Sequence, residues 1–173
     1  MVLSDGERLI LVMLAEVYKH HGIKGEIDPD FVLATIFNNQ TWAFRWKYGS
    51  IVREDQKQPE IVEETCDILD MYRHMSNSLK KLDAAQLSAI KKRTDPFDDY
   101  LKFQGFDFNN DEHATVVDHL VKHLDRYTEI NPDLNSHSSA TIQQYRKMLT
   151  RYQKNRPAHG ELTPEQIIAI VKG

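Results

Sequence analysis

Glu63, Asp67, Asp70 and His74 stand at i, i+4, i+7 and i+11. On a helix that spacing puts three carboxylates and an imidazole on one face. Such a set can hold a hard or borderline divalent metal, and a metal-activated water would then permit hydrolysis. Asp67, Asp70 and His74 would need a second helix to complete the shell. The plainer reading is a solvated acidic face with Arg73 pairing locally to Asp70.

His119 and His123 form an i, i+4 pair with Glu112 earlier in phase, and such a pair can ligate zinc. A zincin needs Glu directly after the first His as its base; Leu120 occupies that place, so a zincin is rejected. On a helical wheel both imidazoles point away from Val117, Val121 and Leu124, which predicts two exposed surface histidines.

Three further segments carry binding chemistry. In Asp133–Ser139, Asn135, His137 and Ser138 could join free backbone N–H groups to bind an anion, or could simply cap the next helix. Arg146, Lys147, Arg151 and Lys154, interleaved with Tyr145 and Tyr152, could track phosphates while the tyrosines stack on bases. They could equally be a solvated face with favourable charge near a helix C-terminus. Trp42-Ala43-Phe44-Arg45-Trp46-Lys47-Tyr48 is too aromatic for a helix that reads base edges. Core packing or a subunit interface suits it better, and a hydrophobic ligand pocket bordered by Arg45 is the functional alternative.

These residues must be positioned by helices. Ser4 and Glu7 have capping-box spacing, predicting a helix to about His21, stopped by Gly22. Leu9 to Ala15 leaves that helix no polar side over two turns, so it is central or covered by another subunit. Asp28-Pro29 opens the next helix; Asn38 to Gln40 interrupts it, and Thr41 caps a short aromatic one. Pro59 opens a long helix to about Leu82, with Ile61, Thr65, Ile68, Tyr72, Met75 and Leu79 in phase. Asp83 and Gln86 start another. Tyr100 to Phe108 is extended or irregular, Asn109 or Asn110 caps a helix to about Glu129, and Ser138 or Ser139 caps one to about Asn155. Thr163-Pro164-Glu165-Gln166 starts the last. With no hairpin signal, this is an all-α, bundle-like domain over 1–173, of about six to eight helices, with one irregular aromatic segment at 100–108.

Length and composition agree. A chain of 173 residues with 40% hydrophobic and 28% charged side chains can bury a core as one domain. Net charge −4 provides no global basic field, which argues against nucleic acid without closing off a local patch. Cys66 is the only cysteine, which fits a reducing cytoplasm, and no apolar run is long enough to span a bilayer. No motif assigns a cofactor.

Phe103-Gln104-Gly105-Phe106-Asp107, Asp67–Tyr72, Arg126-Tyr127, Asp133–His137 and Tyr145–Leu149 together resemble the YfbU-like family of small bacterial and archaeal proteins. None of these is a catalytic motif. Some relatives are associated with a helix-turn-helix segment, so the resemblance implies a sensory or ligand-binding role. The expectation is a cytoplasmic binding or regulatory module that self-associates. Its small-molecule pocket would lie near Trp42, Arg45, Trp46, Asn135 and His137. The metal-dependent hydrolase and the nucleic-acid binder stand as alternatives.

Overall fold

Ser4 and Glu7 do close a capping box: the Glu7 amide donates to the Ser4 hydroxyl at 3.3 Å, and the Ser4 amide to Glu7 Oε2 at 2.8 Å. They open α1 (Asp5–His21), which Gly22 ends in the left-handed conformation at φ 61°. The computed structural model describes residues 2–53, 57–131 and 141–173. Among these are eight α-helices, one 3-10 turn and no strand, so the chain is all-α. No helix among the described residues is long and apolar enough to cross a membrane.

The packing resolves into two compact units: Met1–Glu60 with Thr115–Glu129, and Ile61–Ala114 with Ile130–Gly173. In the first, α1 packs on α2 (Pro29–Phe37). Arg8 bonds Asn39 at 2.6 Å, and Lys19 bonds Asp30. Asp28 caps α2, with Pro29 in its first turn. Then comes α3 (Ala43–Lys47). Thr41 does not cap it: Trp42 is the N-cap and its side chain makes no cap bond, the entry being closed by backbone, Ala43 N–H to the Gln40 carbonyl at 2.9 Å. Phe31, Ile36, Phe44, Val117 and Leu120 are core residues here.

The second unit is built on α4 (Glu60–Leu79) from Ile61 onward, with α5 (Ala84–Thr94), α7 (Ile142–Asn155) and α8 (Pro164–Lys172). Thr65, Ile68, Tyr72 and Met75 of the expected stripe are buried. Capping boxes open α5 at Asp83 and Gln86 and α8 at Thr163 and Gln166. Ser138 and Ser139 lie outside the described residues; α7 has Thr141 at its N-cap, where the side chain makes no cap bond.

A 3-10 turn (Asp98–Leu101) leads into the irregular aromatic segment. Gly105 turns there at φ 89°, a conformation that favours glycine. Its carbonyl accepts from the Tyr145 and Thr141 hydroxyls, both at 2.8 Å, while the Gln104 amide donates to the Tyr145 oxygen at 3.1 Å. Phe103 and Phe106 pack against Tyr145, while Phe108 is half exposed.

The helix α6 (Glu112–Leu124) is shorter than its apolar pattern predicts. Asp125 turns left-handed at φ 52°, which an aspartate tolerates, and Arg126 N–H bonds back to the Leu120 carbonyl at 2.9 Å. That closure ends the helix before Glu129.

Candidate ligand-binding site

Two of the predicted ligand-site residues, Trp42 and Arg45, line a cleft of about 330 Å³ in the first unit. That is the small end of the range for small-molecule sites. Val2, Leu3 and Arg8 border it from the start of α1, Asn39 and Thr41 from the turn after α2, and Val52, Lys57, Gln58 and Pro59 from the connection to α4. Glu54 and Asp55, in the same connection, lie outside the described residues. The described lining carries three cations, Arg8, Arg45 and Lys57, and no carboxylate. Lys57 lies 3.6 Å from Glu60, an exposed pair that screening makes weak.

The aromatic wall is held from behind. Trp42 Nε1–H donates to Gln40 Oε1, and Gln40 Nε2 donates to the Asn38 carbonyl at 3.0 Å. Trp46 meets Trp42 edge-on, with ring centroids 5.3 Å apart. Trp46 does not line the cleft; it donates from Nε1 to Gln58 Oε1 at 3.0 Å. That bond fixes the Gln58 amide, so its nitrogen must be the donor on the other side. Gln58 Nε2 is buried and has no hydrogen-bond partner among the described residues. A buried amide donor left unmatched costs about 1–3 kcal/mol, and an acceptor placed in the cleft would relieve it.

His119 stands behind Trp42, ring centroids 5.9 Å apart, and 5.6 Å from Phe31. It is not a surface histidine: its exposure is 1%. The wheel fails there because the aromatic side chains of α2 and of the Trp42 turn cover that side of α6. The Thr35 hydroxyl lies 3.2 Å from Nε2, and Nδ1 is buried without a partner among the described residues. Burial pushes the imidazole pKa down to about 4, with His123 and Lys47 adding to the shift. His123 is half-buried, its ring 4.9 Å from that of His119, and its pKa is lowered first by desolvation.

Asn135 and His137 lie outside the described residues. The metal alternative gains no support from the geometry of the rest. His74 Nε2 lies 2.9 Å from the Gly160 carbonyl, which can only accept, and Nδ1 lies 3.0 Å from the Tyr152 hydroxyl. Both ring nitrogens are therefore engaged in packing α4 against α7 and the following loop. Asp67 has its pKa raised, first by desolvation and then by Asp70, while Asp70 is 3.6 Å from Arg73. Among the described residues no three His, Cys, Asp or Glu side chains are grouped to hold a metal.

The basic stripe is partly spent inside the second unit. Arg146 makes a two-pronged pair with Glu64, at 2.7 and 2.9 Å. Arg151 donates to the Ile170 and Val171 carbonyls at 3.3 Å, which neutralises the C-terminal end of α8. Lys147 and Lys154 remain on the exposed face of α7.

Sequence reasoning missed Arg8, Asn39, Lys57 and Gln58 in the cleft. Nothing in their spacing signals it, since they come from three separate stretches: the start of α1, the turn after α2 and the connection to α4. It also missed a network in which Glu64 Oε2 is 2.8 Å from His113 Nε2 while Arg146 holds both oxygens. The Arg146 bonds come first in holding the Glu64 pKa down at about 2. His113 is buried and stacks on Phe106 at 5.1 Å.

No curated protein and no solved structure shows significant similarity to the chain. The family model for the YfbU domain matches residues 1–173, the whole length, and the chain therefore belongs to the YfbU family.

Proposed function

We propose that this protein is a ligand-binding module whose cleft beside Trp42 takes a small anion with an apolar portion. The observation that carries this reading is the buried Gln58 Nε2, without a partner among the described residues and fixed in place by Trp46 on a wall shared with Arg8, Arg45 and Lys57. A carboxylate or phosphate oxygen would satisfy that donor, and the Trp42 face with Val2, Leu3, Val52 and Pro59 would cover an apolar group. The lone Cys66 leaves no partner for a disulfide within the chain, which supports a reducing, cytoplasmic setting. Its regulatory output would be a change in how the described lining residues from α1 and the turn after α2 pack when the cleft is occupied.

The two tryptophans of the chain, Trp42 in the cleft wall and Trp46 bonded to Gln58, both stand at this site, so selectively excited tryptophan fluorescence reports on it. Titration with phenyl phosphate and with phenylacetate should give a saturable change. Gln58→Glu keeps an acceptor for Trp46 but replaces the free donor with a carboxylate oxygen. It should weaken binding by tenfold or more, the equivalent of about 1.4 kcal/mol. No saturable response to either probe, or equal affinity in Gln58→Glu, would remove this reading.

A further inference from the structure

The outer side of α1 is apolar and open. Leu9, Ile10, Met13, Leu14 and Val17 are 62, 57, 57, 52 and 48% exposed. They stand at i, i+1, i+4, i+5 and i+8, one continuous arc of a helix. Ala15, on the opposite side, is the buried residue of α1. Apolar side chains exposed singly need no explanation, but five in one arc mark an interaction surface.

We propose that this arc docks a second copy of the chain, antiparallel, about a two-fold axis at Met13. Met13 is the midpoint of α1 (Asp5–His21), so a two-fold there centres the apolar arc on itself. Leu9 then lies opposite Val17, and Asp5 opposite His21. Gly6 lies opposite His20, a small residue facing a large one. A Cβ built on Gly6 would meet nothing within 4 Å, which leaves room for the partner's ring.

Charge selects the antiparallel arrangement. The first turn of α1 holds Asp5 and Glu7, and the last holds His20, His21 and Lys19; Glu7 also bonds Ser4 and Lys19 also bonds Asp30. Antiparallel pairing sets acidic turn against basic turn and opposes the two helix dipoles; parallel pairing stacks like ends together. At roughly 100 Å² of side chain apiece, the five residues bury about 1,000 Å² between two copies, the lower bound for a specific interface. Self-complementarity across a two-fold is what an isologous dimer requires.

The test uses the full chain. Sedimentation equilibrium at micromolar concentration should return twice the chain mass, and Ile10→Lys/Leu14→Lys should return the single mass. Both side chains are exposed, so far-UV circular dichroism should be unchanged in that variant. In a Cys66→Ser background, Met13→Cys should cross-link as a disulfide dimer under mild oxidation. Gly6→Cys should not, because an antiparallel pair holds those positions about 21 Å apart along the axis. A monomeric wild type, a dimer indifferent to the two lysines, or Gly6→Cys cross-linking as well as Met13→Cys would each overturn the proposal. A monomer that co-floats with phosphatidylglycerol vesicles would overturn it too, and would assign the face to lipid.

Discussion

His119 is held neutral by burial against Phe31 and Trp42, with its pKa lowered from 6.5 to about 4. The unfolded chain therefore takes up this proton before the folded one does. The contribution to stability is complete above pH 6.5 and drains away as pH falls toward about 4. It amounts to roughly 3 kcal/mol at most, at 1.36 kcal/mol per pKa unit. His119→Phe keeps a ring against Phe31 and Trp42 and removes the titration. Urea midpoints at pH 7.5 and pH 5 should differ clearly in the wild type and much less in this variant. Equal differences in the two proteins would show that another group sets the acid response.

At the scale of elements, the aromatic segment and α7 depend on each other. The Gly105 carbonyl takes two hydroxyl bonds, from Tyr145 and Thr141, and Gln104 N–H relies on Tyr145 as acceptor. Tyr145→Phe leaves the carbonyl one donor and removes the bond from the Gln104 amide to the Tyr145 oxygen, at a cost of about 1–2 kcal/mol. Gly105→Ala forces an L-residue to φ 89° and should cost about 1–3 kcal/mol. Because the two changes act on one contact, their denaturation energies should not add. Strict additivity would mean that the glycine turn and the tyrosine clamp are independent.

At the scale of the molecule, the two compact units carry their acid sensitivity in different groups. Glu64 has a pKa lowered from 4.5 to about 2, first by its hydrogen bonds from Arg146. Its stabilisation is present above pH 4.5 and is lost as pH falls through about 2. Its side chain is 27% exposed, and after solvent screening the gain is roughly 2 kcal/mol. His119 and both tryptophans belong to the first unit and Glu64 to the second. Acid unfolding followed by tryptophan fluorescence should therefore begin at higher pH than unfolding followed by far-UV circular dichroism, which averages both units. Superimposable curves would refute separate acid responses. Glu64→Gln should lose the step below pH 4.5 and keep the one above it.

The sequence by itself determined the elements that close locally: the capping boxes at Ser4, Asp83 and Thr163, the α2 start at Asp28-Pro29, and the α4 stripe. A cap or a 3.6-residue stripe is settled by side chains a few positions apart, so spacing reveals it. It also marked the aromatic stretch around Gly105 as irregular. Only the tertiary structure decided where α6 stops, that His119 is buried, that His74 is engaged by Tyr152 and Gly160, and that Arg8, Lys57 and Gln58 meet Trp42. Apart from the local closure at Asp125 and Arg126 that ends α6, those outcomes depend on residues more than ten positions away in the chain. A helical wheel shows which side of a helix a residue is on, and packing decides what covers that side.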